Sequence, residues 1–169
     1  ETSKTLRAVL EGNIGTGKSS VLRIWETATN VDAIQEAVNI WEEIGILKDF
    51  YASPSENALL FQVITFATRL ASIGNRFNKN NIRKSPRNEL RNITILERSV
   101  WADRYCFAEN LAEDGIMSEK ELKIYQILHR ILINGHLSKT VPDVIIYLRA
   151  LPETSKRRQE IRARKSEDK

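Results

Sequence analysis

Residues 12–19 read GNIGTGKS, a complete match to the phosphate-binding pattern G-x-x-x-x-G-K-[ST]. A short β-prone run, 6–10, precedes this loop, and an apolar run with helical spacing, 20–25, follows it. Strand, glycine loop and helix in this order are the setting in which the pattern has physical meaning. Glycines let successive backbone N–H groups turn toward phosphate oxygens, and the helix N-terminus adds the positive end of its dipole. The pattern predicts a site for a nucleoside triphosphate, and the alternative is a glycine-rich turn without a ligand.

Two side chains of the loop have the chemistry that such a site needs. We expect Lys18 to reach the terminal phosphates and the Ser19 hydroxyl to hold Mg²⁺. The residues that we predict to contact phosphate in this loop are Gly12, Asn13, Ile14, Gly15, Thr16, Gly17, Lys18, Ser19 and Ser20.

Charge and composition narrow the class of protein. The 169 residues are 41% hydrophobic, which predicts one domain over 1–169 with an apolar core. The net charge of +4 reflects basic residues near the C-terminus, among them Arg158, Arg162 and Arg164. No aromatic stacking platform is interleaved with them, so a phosphate-facing lid explains them better than nucleic acid does, and a solvated helix face is the alternative.

Cysteine content and the length of apolar runs bear on the compartment and on membrane association. The single cysteine, Cys106, excludes an internal disulfide and suits a reducing compartment. No apolar run approaches the length of a membrane span. We expect an intracellular protein with no membrane or nucleic-acid partner, cytoplasmic in the first instance, with a mitochondrial location left open.

Strand and helix candidates alternate along the chain. The strand candidates are Leu6–Leu10, Val31–Ile34, Ile93–Leu96 and Val144–Leu148. This alternation predicts an α/β fold with a parallel sheet and helices on both of its faces. Segment 75–92 is polar and charged, and we interpret it as a helix end followed by a mobile loop.

Two long segments have helical periodicity. The first, Asn57–Ile73, has apolar residues at core spacing, namely Leu60, Ile64, Ala67 and Ala71. The second, Glu119–Leu137, has an apolar set made of Leu122, Tyr125, Ile127, Leu128 and Ile131.

Carboxylates follow two of the strand candidates. Glu36 ends the second, at the sheet edge where ligands bind, and can accept the proton of a hydroxyl that attacks a γ-phosphate. Glu97 ends the third and can hold Mg²⁺ directly or through water, with Arg98 near the transferred phosphoryl group. A solvated glutamate at 36, and a helix N-terminal acid at 97 capped by Ser99, are the structural alternatives.

Polar residues share one face of the first long helix. Gln62, Thr65 and Arg69 are spaced i, i+3 and i+7 on a segment that is otherwise apolar. Polar groups in that setting indicate a bound polar ligand.

The order of these motifs resembles the deoxyribonucleoside kinases, in particular the deoxycytidine/deoxyguanosine kinase class, from about Arg7 to Lys169. The resemblance rests on GNIGTGKS at 12–19, Glu36 with Trp41, YASP at 51–54, FQ at 61–62, ERSVWADRY at 97–105, IIYL at 145–148, PET at 152–154 and RAR at 162–164. Ala37 stands where the family usually has proline. Relatives continue past the lid, which begins at about 153, so the chain resembles a kinase domain that is incomplete at its C-terminus.

The resemblance implies a P-loop kinase fold with an arginine-bearing lid, a homodimer, and Mg²⁺-dependent phosphoryl transfer from ATP or another nucleoside triphosphate to a deoxyribonucleoside 5′-hydroxyl. It implies that Glu36 is the general base, that Arg98 orients it, and that Ser19 and Glu97 hold the metal. Lid contacts to the donor phosphates would come from Arg158, Arg162 and Arg164. Nucleoside contacts would come from Glu36, Trp41, Tyr51, Phe61, Gln62, Arg69, Arg98, Asp103, Phe107 and Glu167, with Ile14, Val38, Leu47 and Phe50 also closing the pocket.

The resemblance also implies a substrate preference, through the residues Arg69 and Asp103. In the resembled class, Arg69 and Asp103 form a charged pair at the base, where thymidine-accepting members have an apolar residue. We therefore expect deoxycytidine, deoxyadenosine or deoxyguanosine to be favoured over thymidine, and a plain buried salt bridge is the alternative. A non-catalytic kinase-fold subunit of a larger assembly is the other functional hypothesis, although such a subunit need not retain Lys18, Glu36 and Glu97 together.

Overall fold

The strands of one parallel sheet organise the computed structural model, which describes residues 6–27, 31–76 and 93–162. The strands are β1 (Leu6–Glu11), β2 (Val31–Ile34), β3 (Ile93–Glu97) and β4 (Val144–Tyr147). Their order across the sheet is β2-β3-β1-β4, and every pairing is parallel. The four strand predictions are confirmed to within one residue, and with them the predicted α/β class, in which parallel strands require crossover helices.

Helices make up most of the other described residues. They are α1 (Lys18–Glu26), α2 (Val38–Glu43), α3 (Ile46–Ala52), α4 (Pro54–Arg76), α5 (Val100–Ala102), a π-helical segment (Asp103–Ala108), α6 (Glu109–Glu113), α7 (Glu119–Asn134), α8 (Leu137–Thr140) and α9 (Pro152–Arg162). Both predicted long helices are present as α4 and α7. None of the helices in the described ranges is long and apolar enough to cross a bilayer. Of segment 75–92, residues 75–76 end α4 and 77–92 lie outside the described residues.

The described residues divide into two compact units, and the first contains the sheet, α1 and α9. Its core is apolar and lies between β-strands and α1, with Ala8, Leu10, Leu22, Ala33 and Ile95 buried. The middle of β1 is buried because the strand pairs with β3 on one side and β4 on the other. A central position in a parallel sheet explains why this strand reads as an unbroken apolar run.

The second unit consists of residues 37–74 and 100–140 among those described. One of its clusters is built on Trp41, Ile46 and Leu47. Another brings rings of α4 and α7 together, with Phe66 and His129 at 4.8 Å between centroids. At the start of α7 a capping box forms, in which Ser118 and the Glu121 side chain bond to each other's backbone N–H. The expected single domain over 1–169 stays a prediction.

The predicted core residues of α4 are only partly buried, and so is the apolar set of α7. Ile64 packs against the Trp41 cluster and Tyr125 is fully buried. Leu60 on α4 is 59% exposed and Ile131 on α7 is 61% exposed. Ala67 and Ala71 on α4 are also exposed, against prediction, as are the apolar residues Ile127 and Leu128 on α7. The buried faces contain Ala58, Gln62, Thr65, Phe66, Arg69, Leu70 and Ile73 on α4 and Tyr125, His129 and Ile133 on α7. Thr65, Arg69 and His129 share the interior because each has a hydrogen-bond partner there, and hydropathy spacing does not register such partners.

Candidate active site

The loop between β1 and α1 has a shape that only glycine permits at two positions. Gly12 has φ 147° and Gly15 has φ 78°. A Cβ on Gly12 would overlap the Leu148 carbonyl oxygen, and a Cβ on Gly15 would overlap the backbone of Ser155 in α9. The close approach of α9 to the loop therefore depends on glycine. All nine predicted phosphate-contacting residues of 12–20 lie between the end of β1 and the first turn of α1.

Lys18 is buried at the first position of α1, with 6% of its surface exposed. Its ammonium donates to the carbonyl oxygens of Gly12 at 2.9 Å and Asn13 at 3.0 Å. Burial, and next the positive charge of Arg98, lower the pKa of Lys18 to about 8, while nearby glutamates oppose the shift. The ammonium is thus held by the loop itself, where incoming phosphate oxygens would be stronger acceptors.

Ser19 and Glu97 bring two oxygen ligands together. The Ser19 hydroxyl donates to Glu97 Oε1 at 2.7 Å, which joins the start of α1 to the end of β3. Mg²⁺ prefers oxygen ligands and is usually bound through one or two carboxylates together with substrate phosphates and water. Within 6–27, 31–76 and 93–162, no group of three or more His, Cys, Asp or Glu side chains could hold a metal. The Ser19 and Glu97 oxygens would suit Mg²⁺ that takes its other ligands from substrate and water, since the described residues form no complete metal cage.

Glu36 and Arg98 lie at the carboxyl ends of neighbouring parallel strands. Arg98 Nε is 3.2 Å from Glu36 Oε1, and the two side chains are 9% and 17% exposed. A partly buried carboxylate held against a guanidinium can accept a proton from a hydroxyl brought within hydrogen-bond distance of it. The same guanidinium provides positive charge beside this carboxylate, and such a charge stabilises an anionic group that develops next to it.

Of the three predicted lid arginines, Arg158 contacts the phosphate loop. Arg158 Nη1 in α9 donates to the carbonyls of Gly15 and Thr16 at 3.4 and 3.3 Å, so this arginine reaches the phosphate loop. Arg162 is the exposed last residue of α9. Arg164 and Glu167 lie outside the described residues.

In the second unit, aromatic rings predicted to line the nucleoside pocket pack against one another. Phe50 stacks on Phe61 at 4.6 Å between centroids, and Trp41 meets Phe61 edge-on at 5.9 Å. The indole N–H of Trp41 donates to the Thr68 hydroxyl at 3.1 Å, and Tyr51 packs beside Phe50. This wall is largely apolar and the Trp41 N–H within it is satisfied, so it offers aromatic surface against which a base could pack.

The polar face of α4 contains one satisfied pair and one unsatisfied group. Arg69 Nε and Nη2 donate to the two carboxylate oxygens of Asp103 at 2.8 and 3.1 Å, and both side chains are buried. Gln62 is 4% exposed, and among the described residues its Oε1 has no hydrogen-bond partner. An orphaned buried amide costs free energy that a donor on a ligand would recover. Asp103 and the half-buried Phe107 belong to the π-helical segment, a type of irregularity frequent at functional sites.

Two features of the described residues were not predicted. Glu11, directly before the phosphate loop, accepts the backbone N–H of Ser99 at 2.8 Å. Tyr125 Oη and Arg104 Nε are buried without a hydrogen-bond partner among those residues. The position of Glu11 beside the loop was the only signal available for it, and nothing local in the sequence marks the other two.

Comparison with known proteins agrees with this geometry. The profile of the deoxynucleoside kinase family matches residues 8–169. The chain is 32% identical over 185 residues to deoxycytidine kinase 2 of Gallus gallus, covering 98% of this chain and 68% of that protein. It is 30% identical over 187 residues to deoxycytidine kinase of Homo sapiens, covering 99% and 70%. It is 30% identical over 184 residues to the mitochondrial deoxyguanosine kinase of Xenopus laevis, covering 95% and 65%. The chain therefore spans about two thirds of the length of these relatives.

Proposed function

The chain belongs to the deoxynucleoside kinase family, and on that premise we propose that it phosphorylates the 5′-hydroxyl of deoxycytidine, deoxyadenosine or deoxyguanosine in preference to thymidine. ATP or another nucleoside triphosphate is the donor, and the product is the 5′-monophosphate used in nucleotide salvage. The observation that carries the proposal is the 3.2 Å contact between Glu36 and Arg98 at the strand ends beside the phosphate loop.

In this proposal, Glu36 takes the proton of the 5′-hydroxyl as its oxygen attacks the γ-phosphorus. The bond from the γ-phosphorus to the bridging oxygen breaks, and the nucleoside diphosphate leaves. Arg98 holds the carboxylate in place and balances charge on the transferring group, while Lys18 follows the β- and γ-phosphates. Mg²⁺, when held by Ser19 and Glu97, would neutralise charge on the donor phosphates.

Base recognition rests on the second unit. We assign the Gln62 amide to the hydrogen-bonding edge of the base, with Phe107 stacking on its face. The unsatisfied Oε1 of buried Gln62 supports this assignment, because it leaves an acceptor for an amino or ring N–H donor. The Arg69–Asp103 pair would leave no room for a 5-methyl group. Tyr51 and Glu167 are assigned to the 3′-hydroxyl.

A phosphorylation assay tests the proposal. The protein is incubated with ATP or UTP, Mg²⁺ and each of the four deoxynucleosides, and monophosphate formation is measured by chromatography. Glu36→Gln is the matched control, because it keeps size and hydrogen bonding but loses the base, so we expect turnover to fall about 10²- to 10⁴-fold. No product with any deoxynucleoside would overturn the proposal and favour a non-catalytic subunit. Normal turnover by Glu36→Gln would remove Glu36 from the mechanism.

Homodimer formation is part of the proposal. It is supported by an apolar surface on α7 made of Ile124, Ile127, Leu128, Ile131 and Leu132, each at least 38% exposed. Sedimentation equilibrium of the parent and of Ile131→Glu tests it, since a charge in such an interface should yield monomers. An intracellular location is likewise proposed, and fractionation of cells that express the full-length protein would identify the compartment.

A further inference from the structure

Glu11 is the last residue of β1, and its side chain contacts the turn that follows β3. Its Oε1 accepts the Ser99 N–H at 2.8 Å. Its own carbonyl accepts the Leu148 N–H at 2.8 Å, so the pairing of β1 with β4 holds its backbone. The carboxylate therefore extends from a fixed strand to a neighbouring chain segment.

That segment includes a strained residue. Arg98 has φ 64°, and no other non-glycine residue within the described ranges has a positive φ. Side chains make this left-handed conformation costly, and it persists where the surroundings over-determine it. The Arg98 N–H donates to the Leu10 carbonyl at 3.0 Å, and the next N–H, that of Ser99, donates to Glu11. Only the φ and ψ angles of Arg98 separate these two N–H groups, so the two bonds together hold both dihedrals.

The direction of the Arg98 side chain depends on this backbone. Its guanidinium lies 3.2 Å from Glu36 Oε1, and the preceding residue, Glu97, accepts the Ser19 hydroxyl at 2.7 Å. A turn that relaxed toward ordinary φ values would redirect the guanidinium away from the carboxylate. Misplacement of a reacting group by about 1 Å can cost about 10²-fold in rate.

We infer that Glu11 is a positioning residue for phosphoryl transfer: by accepting the Ser99 N–H, it holds Arg98 in its left-handed conformation and keeps the guanidinium against Glu36. This inference rests on the proposed function, since Glu11 is assigned to act on the reaction through Arg98. The Glu11 charge also raises the pKa of nearby Lys18, and Glu11→Gln, which removes the charge and keeps the acceptor, separates the two effects.

Steady-state kinetics of Glu11→Ala and Glu11→Gln form the first test. For Glu11→Ala, we expect kcat to fall about 10²-fold while KM for deoxynucleoside and for ATP stays close to the parent values. Glu11→Gln keeps a carbonyl acceptor for the Ser99 N–H and should recover most of the lost kcat. A glutamine variant as slow as the alanine variant would overturn the inference, because charge and not the hydrogen bond would then be responsible.

A double-mutant cycle tests whether Glu11 acts through Arg98. In an Arg98→Ala background, Glu11→Ala should lower kcat no further, since there is no guanidinium left to position. Losses that multiply would overturn the inference.

Asp143→Ala is the matched control: it removes a similar carboxylate bond, to the Arg7 N–H at 2.9 Å, at the other end of β1. It should lower stability and leave kcat unchanged.

Amide hydrogen exchange supplies a readout that does not depend on turnover. The Ser99 N–H should exchange faster in Glu11→Ala than in the parent and in Glu11→Gln, and unchanged exchange would overturn the positioning role. A parent protein without kinase activity would instead overturn the proposed function, so the two failures are distinguishable.

Discussion

Replacing Arg69 and Asp103 singly and together should separate their contribution to stability from their contribution to substrate choice. The two side chains are 6% and 3% exposed, and two hydrogen bonds of 2.8 and 3.1 Å join them. Arg69→Met alone leaves a buried carboxylate without its counter-ion, and Asp103→Ala alone leaves a buried guanidinium. Changing both removes the two charges together.

The expected magnitudes follow from burial. Breaking a buried ion pair by removing one partner costs about 3–5 kcal/mol, whereas replacing the whole pair with apolar groups is often close to neutral. For a protein of this size, each single variant should therefore melt about 6–20 °C below the parent. The double variant should recover most of that loss. It should also gain thymidine phosphorylation, because a methyl-sized space in a pocket is worth about 1–3 kcal/mol, or roughly 10- to 200-fold in relative kcat/KM.

The melting temperature is measured for the parent, both single variants and the double variant. The kcat/KM values for thymidine and for deoxycytidine are measured on the same four proteins. Tyr125→Phe is a control in the same buried neighbourhood. The Tyr125 hydroxyl has no hydrogen-bond partner among the described residues, and burial together with Asp103 raises the pKa of this hydroxyl, so it stays neutral. Removing an unsatisfied buried hydroxyl should leave stability unchanged or raise it.

Three results would refute this reasoning or the substrate assignment behind it. Single variants as stable as the parent would show that the ion pair is solvated or readily replaced. A double variant with an unchanged ratio of thymidine to deoxycytidine activity would show that the pair does not line the base site. A parent protein that already prefers thymidine would refute the substrate assignment itself.

Three further perturbations test other parts of the structure. Burial lowers the pKa of Lys18 to about 8, and bound phosphate should restore the charge of its ammonium, so ATP binding at pH 8 should take up about 0.5 proton. Calorimetry in buffers of different ionisation enthalpy measures this proton uptake, and zero uptake would contradict the prediction. Gly15→Ala should raise KM for ATP, because the new Cβ would overlap the Ser155 backbone. Gly115 has a similar φ but open space where a Cβ would stand, so Gly115→Ala is the control and should leave KM unchanged. Burial lowers the pKa of His129, so as pH falls the unfolded chain takes up a proton near pH 6.5 before the folded protein does. The free energy of unfolding should therefore fall as pH drops below that value. Urea titrations over this pH range should show a weaker pH dependence of that free energy for His129→Gln if this histidine is responsible.

Local sequence was sufficient for the strands and the phosphate loop. The run before Gly12 and the runs that end at Ile34 and Leu96 are short and mainly apolar, and each forms a strand as predicted, to within one residue. The pattern GNIGTGKS constrains its own backbone, because Gly12 and Gly15 adopt φ values that other residues avoid. These features depend on neighbours in sequence, which a pattern can register.

The buried faces of the long helices could not be predicted from hydropathy alone. Spacing indicated a helix over 57–73 but placed Leu60 inside, whereas Leu60 is exposed. It put Arg69 on a polar face, but only the family resemblance named Asp103 as its partner, and the two side chains are paired in the structure. Asp103 is 34 residues away along the chain, and whether a charge can be buried depends on the arrival of that partner.

The sequence by itself determined which groups are available for phosphate chemistry: a glycine loop, a lysine, a serine and carboxylates that follow β-strands. Only the tertiary structure decided which of them meet. The 3.2 Å contact of Glu36 with Arg98 requires parallel pairing of β2 with β3, and the anchoring of Arg98 by Glu11 requires pairing of β1 with β3. Hydrogen bonds and ion pairs act over a few ångströms, so contacts between residues tens of positions apart exist only after the sheet has set its register.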